Sequence, residues 1–431
     1  MDNAEKKGGS VLAIAVMFAL FFMIAFVTNF AGSMGVIVKN QFGASNAASQ
    51  LGSCANFFAY LFMGIPGGLI LKRRGYKFTS ILACAVGFAG VGVQWLSGYV
   101  ESFGVYVGGA FIAGFSMCLL NLVVNPMLNT LGGEGKKGNQ LVQFGSSLNS
   151  IGGTIAPILL GYLIGGEVAK AKVADAAPAL LIAMGIFALA ILIVAFSKIP
   201  EPHMETAAER EARLNGSTSV LKDIAATLKF RHFTFGAIAI FFYIVIEVGI
   251  PSTALLYMTE QVKDAAGNLT NAPWYVGAAV AGSVGGAYWF CMMIGRIVGA
   301  SIGAKVSSRT MITCCSIAAI VLILAIIYMP FSMITLFGVK MPTSMALMVA
   351  CGLCTSVMWG GIFNMAAEGL GKYVPMGSGI FMAMVFGGVL LPVQGYVADK
   401  IGILNSYWFT IALLAYVLFY ALIGSRVKKS A

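Results

Sequence analysis

The chain has 431 residues, of which 59% are hydrophobic and only 10% are charged, and its mean hydropathy is +0.89. A soluble domain has roughly 25% charged residues, so this composition excludes a water-soluble globular protein. The net charge of +11 is spread over short segments between apolar runs. We therefore expect a lipid bilayer, and no nucleic acid, as the partner of this surface.

Twelve apolar stretches succeed one another along the chain. A helix needs about 20 apolar residues to cross a bilayer. The stretches that reach this length are 11–38, 48–71, 78–98, 103–131, 140–166, 177–197, 234–258, 275–304, 310–337, 343–370, 377–398 and 403–425. The sequence predicts an all-α membrane protein of twelve transmembrane helices in two six-helix halves.

The basic residues indicate how the spans are oriented. Twenty of the 27 Lys and Arg residues lie in the connecting segments on the side that holds both termini. Basic residues concentrate in cytoplasmic loops. We expect a multi-pass protein of the inner (plasma) membrane with both termini in the cytoplasm.

The longest polar stretch lies between the sixth and seventh spans. It predicts an N-terminal six-helix bundle over 1–198, a cytoplasmic linker over 199–232 and a C-terminal six-helix bundle over 233–431. Within the linker, the charged segment METAAEREARL (204–214) favours a helix on the inner surface.

Cysteine and histidine give no sign of a metal or cofactor. All eight cysteines lie in apolar runs, where they usually act as small apolar packing residues. The CGLC motif of Cys351 and Cys354 is therefore not expected to be a redox or metal site. Both histidines, His203 and His232, lie in or beside the polar linker. We expect no metal, no cofactor and no intramembrane enzyme chemistry.

The two halves repeat a motif at an offset of about 235 residues. Gly152-Gly153, Pro157 and Gly161-Tyr162 recur as Gly387-Gly388, Pro392 and Gly395-Tyr396. Internal repeats of this kind place the substrate site near the bilayer midplane between the halves, which rock to expose it alternately.

Seven segments carry a family resemblance: FAYLFMGIPGGLILKRRGYK (58–77), NPMLNTLG (125–132), LNSIGGTIAP (148–157), FFYIVIEVGIPS (241–252), GRIVG (295–299), GGIFNMAAEGLG (360–371) and GSGIFMAMVFGGVLLPVQGYVADKIG (377–402). Together they resemble the major facilitator superfamily, and within it the fucose permease-like branch of fucose/galactose/glucose–proton symporters. The resemblance covers nearly the whole chain. It implies a secondary active transporter that imports a hexose or related monosaccharide, working as a monomer.

The sequence also departs from the branch at its coupling positions. Branch members carry one acid in the first span, where this chain has Gly32, and another four residues before the Asn-Pro pair, where it has Asn121. The span-five pattern of the branch is altered over 141–146. These changes leave the identity of the sugar and the route of proton coupling open.

Glu247 is the one acidic residue placed deep in an apolar segment, the run 238–257. A carboxylate at bilayer depth costs at least ~2–3 kcal/mol and is functional by default. The alternative is a structural carboxyl that is neutral or paired with a neighbouring helix. Three coupling schemes follow: Glu247 carries a proton, Glu247 and nearby oxygens bind sodium, or the protein is a uniporter. We favour the proton, since one carboxyl makes a sparse sodium site.

A sugar site needs oriented hydrogen-bonding groups and an aromatic surface. Amides offer donors and an acceptor together. The predicted substrate-binding residues are Asn121, Asn125, Asn149, Gln143, Asn29, Tyr243, Glu247, Trp359 and Asn364, and Tyr60 and Trp289 are further aromatic candidates. Asn121 and Asn125 are four residues apart and share a helix face. The alternative for each amide is a hydrogen bond between helices.

Arg296 is the one basic residue deep within a span. It could pair with Glu247 on the adjacent span, or gate the inner end of the eighth span. The GRIVG match favours a structural or gating role. The rival interpretations are a drug exporter, a carrier of nucleosides or of acidic sugars such as sialic acid, and a non-transporting sensor.

Overall fold

The computed structural model describes residues 2–131, 135–164, 171–201, 204, 211, 220–264, 268–302, 306–370 and 373–426. Within them, eleven helical stretches are long and apolar enough to cross a membrane. One of these, Leu51–Val100, is interrupted at Gly75, where φ is 84°, and so supplies two crossings. The predicted all-α membrane fold is confirmed in the described part of the chain.

Several of the candidate spans consist of two or more consecutive helical pieces. The α-helices are α1 Asp2–Ser33, α2 Gly35–Gln41, α3 Asn46–Ser49, α4 Leu51–Val100, α5 Phe103–Leu131, α6 Gly135–Ile164, α7 Ala177–Phe196, α8 Val220–Leu228, α9 Arg231–Met258, α10 Ala278–Ile302, α11 Ser308–Tyr328, α12 Thr343–Thr355, α13 Met358–Ala367, α14 Val374–Ala383, α15 Leu391–Ile401 and α16 Tyr407–Phe419. Short 3₁₀ segments cover Val173–Ala176 and Met384–Leu390, and a π-helical turn covers Tyr420–Gly424.

Two β-hairpins lie at one end of the bundle, where the sequence pattern predicted no strands. They pair β1 (Gln261–Lys263) with β2 (Leu269–Asn271), and β3 (Met333–Leu336) with β4 (Val339–Pro342). The predicted span 310–337 was wrong at its end, since the helix stops at Tyr328. Pro330 cannot continue a helix, and the chain then turns into β3.

We name the two ends of the bundle by what they carry. The hairpin end holds both β-hairpins, and the terminal end holds Phe196, Arg231 and Ile302, where α7 and α10 finish and α9 begins. The predicted surface helix over 204–214 lies almost wholly outside the described residues. Within the predicted linker 199–232, the structure describes the helix α8, which leads directly into α9.

The break in α4 at Gly75 is fixed by a carboxylate from elsewhere in the chain. Glu201, which follows α7, accepts hydrogen bonds from the backbone N–H of Tyr76 and, at 2.9 Å, from that of Lys77. These are among the first N–H groups of the second crossing, which have no partner inside their own helix. A side chain at position 75 would meet the Glu201 carboxylate and would not tolerate the positive φ, so both features require glycine.

The predicted repeat is visible in the packing. Within the halves, Gly152 of α6 lies against the Phe22 carbonyl, and Gly387 lies against the Phe241 carbonyl. The next glycine in each motif faces the other half. Gly153 lies under the Trp289 ring.

The matching contact in the second copy of the motif has the same form. Gly388 lies under the Phe57 ring. Glycine permits this close approach because it has no Cβ. The two motifs therefore occupy equivalent places in the two halves.

Candidate functional site

A buried ion pair within two apolar helices forms the centre of the candidate site. Arg296 of α10 donates from Nη2 to Oε1 of Glu247 in α9 over 3.0 Å, and both side chains are about nine-tenths buried. The two helices are consecutive in the chain and pack side by side. Each charge therefore has a partner of opposite sign, which buried charges require.

Arg296 also reaches across to the N-terminal half. Its Nη1 donates to the Ser146 carbonyl at 2.7 Å and to Oγ of Ser150 at 3.0 Å, both on α6. One guanidinium thus joins α9, α10 and α6, because its donors are fixed in a planar fork. The pairing with Glu247, one of the two alternatives for Arg296, is thus present together with a contact to the other half.

Two tyrosines lie beside Glu247, Tyr243 on the same helix and Tyr288 on α10. Tyr243 donates to the Thr355 carbonyl over 3.2 Å, and the Tyr288 hydroxyl donates to the Glu247 carbonyl over 3.1 Å. Tyr288 and the Thr355 hydroxyl also lie 2.9 Å apart. The Trp359 ring lies 6.3 Å from that of Tyr243. The structure therefore brings together the predicted residues Tyr243, Glu247 and Trp359.

Four residues around Arg296 and Glu247 were not found from the sequence: Ser146, Ser150, Tyr288 and Thr355. Hydroxyl side chains are frequent in transmembrane helices, and a carbonyl leaves no mark in a sequence. Tyr288 carried a usable signal, since a tyrosine buried at span depth needs a partner for its hydroxyl.

The amides of the N-terminal half form a second group. Asn121 of α5 donates from Nδ2 to the Tyr60 hydroxyl and to the Met117 carbonyl, both at 3.1 Å, and Asn125 donates to the Asn121 carbonyl at 3.0 Å. They lie on one helix face, as their spacing predicted. Tyr60, an aromatic candidate, joins them there.

The remaining predicted residues are dispersed. Asn149 donates to the Phe21 carbonyl at 3.0 Å, which ties α6 to α1, and buried Asn29 donates to the Ala25 carbonyl at 2.9 Å. Asn364 is exposed near the terminal end. Gln143 belongs to α6, but its side chain lies outside the part of the chain that the structure describes.

The two halves meet at both ends of their interface. At the hairpin end, the Asp399 carboxylate accepts from the backbone N–H of Asn46 at 2.9 Å and of Ala47 at 3.1 Å. Toward the terminal end, Arg296 holds α6. Between them, Asn29, Ser252 and Trp289 help to line a cavity of about 20 Å³, which has room for about one or two water molecules.

The functional groups that this interface offers are thus polar side chains and one ion pair. Among the described residues, no cluster of His, Cys, Asp and Glu could hold a metal ion. Amides and hydroxyls can bind a hydroxylated solute, and the Glu247–Arg296 pair can exchange a proton or a partner. Hydrogen bonds toward both ends hold the two halves together around this interface.

Known proteins with similar sequences are sugar carriers by name. A glucose/galactose transporter of Brucella abortus is 28% identical over 430 residues, covering 98% of this chain and 96% of the relative. An L-fucose-proton symporter of Escherichia coli is 22% identical, covering 93% and 90%. Both match almost from end to end.

The fold agrees with this comparison. The solved structure of the Escherichia coli fucose:proton symporter FucP, in an outward conformation, superposes with a TM-score of 0.67, at 19% identity, over 97% of this chain and 100% of that one. A sequence model of the Major Facilitator Superfamily matches residues 16–388. Because this model covers most of the chain and the helical fold agrees with it, the chain belongs to the Major Facilitator Superfamily.

Proposed function

We propose that this protein imports a monosaccharide together with a proton, by alternating access of one site between its two halves. Its relatives named for glucose and galactose match nearly the whole chain, and a relative named as a fucose-proton symporter does so at lower identity. The amides, tyrosines and Trp359 around the interface suit a ligand with many hydroxyls.

The observation that carries the proposal is the double attachment of Arg296. It binds the Glu247 carboxylate in its own half and Ser146 and Ser150 in the other. The charge of Glu247 fixes the guanidinium where it reaches α6. Any change in that charge therefore acts on the contact between the halves.

A proton that arrives from the hairpin end neutralises Glu247 and removes the charge that orients Arg296. The hydrogen bonds from Arg296 to α6 then weaken, and the halves part at the terminal end. Sugar bound between the halves is released on that side. When Glu247 gives up its proton there, the ion pair re-forms and closes the terminal end again.

The orientation follows from the basic residues. Most Lys and Arg residues of the connecting segments belong to the terminal end, so this end faces the cytoplasm of the inner membrane. The halves that rock are the six-helix bundles over 1–198 and 233–431, joined by the linker 199–232. Asn121, Asn125 and Asn149 supply the sugar contacts of the first bundle.

Uptake into proteoliposomes tests the proposal. We would measure labelled glucose, galactose, fucose, fructose, mannose and N-acetylglucosamine under an imposed proton gradient, a sodium gradient or neither. We expect accumulation above equilibrium under the proton gradient alone. Glu247→Gln should lose accumulation but retain exchange of labelled for unlabelled sugar, because exchange needs no net proton movement.

The matched control is Glu101→Gln, which removes an exposed carboxylate paired with Lys172 at 3.1 Å within the N-terminal half. It should transport like the unmodified protein. Accumulation driven by the sodium gradient would make the protein a sodium symporter. Equilibration of the sugar without accumulation would make it a uniporter. Accumulation of sugar by Glu247→Gln would rule out Glu247 as the proton carrier. If the unmodified protein took up none of these sugars, the proposal that its substrate is a monosaccharide would be wrong.

A further inference from the structure

The backbone of Gly153, a residue of the opposite half without a side chain, covers the Trp289 ring. A Cβ at Gly153 would lie 2.9 Å from Cδ2 and 3.0 Å from Cε3 of the ring, and 3.1 Å from the Asn29 amide nitrogen. Gly153 therefore lies where the indole and the amide come together. Trp289 is only 4% exposed in this closed form.

The neighbourhood of the ring combines apolar and polar surface. The cavity of about 20 Å³ beside it is lined by Trp289, Asn29, Ser33, Pro251 and Ser252, among others. The two serine hydroxyls donate to carbonyls of their own helices, at 2.9 Å to Asn29 and 2.7 Å to Val248. Their lone pairs remain able to accept hydrogen bonds from a ligand.

The position of the ring relates it to the ion pair. Trp289 and Arg296 are seven residues apart on α10, so they lie about two turns apart on one face. Trp289 is the one nearer the hairpin end. A second small cavity continues in that direction, lined by Ser33, Leu255 and Thr259 among others.

From these contacts we infer that Trp289, Asn29 and Ser252 form a monosaccharide subsite on the hairpin side of the Glu247–Arg296 pair. The inference rests on the proposed function. When α6 moves away from α10, Gly153 leaves the indole, and the apolar face of a sugar ring takes its place. The Asn29 amide and the Ser252 hydroxyl then bind the hydroxyl groups at the edge of the sugar.

Glycine at 153 is what makes this exchange possible. Any larger side chain would stay wedged against the indole or hold the two halves apart. The ligand class is a cyclic monosaccharide, because stacking needs a rigid ring with an apolar face. An open-chain polyol such as mannitol has the same hydroxyl groups without that face.

The repeat provides a matched control. Phe57 lies over Gly388 as Trp289 lies over Gly153, and each ring is 4% exposed. Phe57→Ala and Trp289→Ala therefore remove equivalent packing between the halves. Phe57 does not line the cavity beside Asn29, so the two variants separate packing from ligand binding.

The first measurement is the galactose concentration that gives half-maximal counterflow in proteoliposomes. Trp289→Ala should raise it about tenfold or more, and Trp289→Phe, which keeps an aromatic face, by about threefold or less. Phe57→Ala should leave it unchanged. Equal values for Trp289→Ala and Phe57→Ala, both close to that of the unmodified protein, would overturn the subsite.

A second measurement keeps Trp289 intact and so does not depend on the stability of its variants. A protein with Trp95, Trp274, Trp359 and Trp408 replaced by Phe has Trp289 as its single tryptophan. Its fluorescence should change with galactose and should not respond to mannitol. The change should saturate near the galactose concentration that gives half-maximal counterflow in this same variant, because Trp359→Phe alters a residue of the proposed sugar site. Galactose transport without any spectral change would refute the inference alone, whereas an unmodified protein that transports no sugar would refute the proposed function as well.

Discussion

The two ends of the interface are held by different chemistry. Toward the terminal end, the Arg296 guanidinium is buried and paired with a buried carboxylate while it holds α6. At the hairpin end, the Asp399 carboxylate is exposed and holds two backbone N–H groups of α3. Both contacts join the same two halves.

The difference indicates how each end is released. A hydrogen bond to an exposed carboxylate contributes about 1 kcal/mol or less net, since water replaces it readily. A buried charge that loses its partner costs about 3–5 kcal/mol. We therefore expect the hairpin end to open by thermal motion and the terminal end to need a change in the charge of Glu247.

The largest effect should come from separating the buried charges. Glu247→Gln leaves Arg296 without its counter-charge, and Arg296→Met leaves Glu247 without its own. Each should lower the free energy of unfolding by about 3–5 kcal/mol, and the double variant should recover much of that loss. Thermal unfolding of the four purified proteins measures this. A double variant whose loss equals the sum of the two single losses would show that the pair is not coupled.

The next effect concerns the hairpin end. Asp399→Ala removes both hydrogen bonds to α3 and should shift the population toward opening at that end about five- to tenfold, equivalent to about 1–1.4 kcal/mol. Cys54, whose Sγ lies 3.7 Å from the Val389 carbonyl across the interface, reports the opening. Its labelling by an impermeant thiol reagent, with the other seven cysteines replaced, should accelerate by that factor.

Glu101→Gln is the control for this experiment, because its partner Lys172 lies in the same half. It should leave Cys54 labelling unchanged. If Asp399→Ala also failed to accelerate labelling, the Asp399 contact would not hold the hairpin end closed.

A smaller effect is expected at the terminal end from one hydroxyl. Ser150→Ala removes one of the two acceptors that α6 offers Arg296, while the Ser146 carbonyl remains, so the loss should be about 1 kcal/mol. Ser316→Ala provides the comparison, since its buried Oγ has no hydrogen-bond partner in the structure. Melting temperatures should fall for the first variant and stay level for the second. Equal melting temperatures would mean that the Ser150 bond adds nothing to the contact.

The smallest effect is a pH dependence at the hairpin end. Burial raises the pKa of Glu260 above 4.5, although the Trp274 indole N–H, 3.0 Å away, and the Lys39 ammonium act against this. The folded protein thus binds this proton more tightly than the unfolded chain. Its contribution to stability is full below pH 4.5 and is lost as the pH rises through the raised pKa.

Melting temperatures between pH 4.5 and 7 test this sign. The unmodified protein should lose stability relative to Glu260→Gln as the pH rises. Glu101→Gln should follow the unmodified protein across the whole range. If the melting temperatures of all three proteins changed with pH in parallel, the pH dependence would not come from Glu260.

Charges in apolar surroundings made the central pair predictable from the sequence. Glu247 and Arg296 each had to find a partner, and consecutive spans are usually neighbours. The positions of hydroxyl groups were not predictable in the same way. Ser150 reads like any other serine of a transmembrane helix until α6 and α10 are placed side by side.

The hairpin of β3 and β4 was not predicted from the sequence because its turn lacks the usual residues. The two-residue connection of β3 and β4 is Phe337-Gly338, with φ of 52° and 79°, where Asn-Gly or Asp-Gly would have indicated a hairpin. Asn364 was chosen for its depth in an apolar run. Its exposure depends on how α13 is rotated, and one sequence does not fix that rotation.

The cap on the second crossing of α4 has a consequence for biogenesis. The N–H groups of Tyr76 and Lys77 are bonded by Glu201, which is synthesised about 125 residues later. Three further crossings, α5, α6 and α7, must enter the membrane before this cap can form. The ribosome therefore delivers the residue that completes the amino end of the third crossing only after the sixth, so the first half of the protein matures as one unit and not helix by helix.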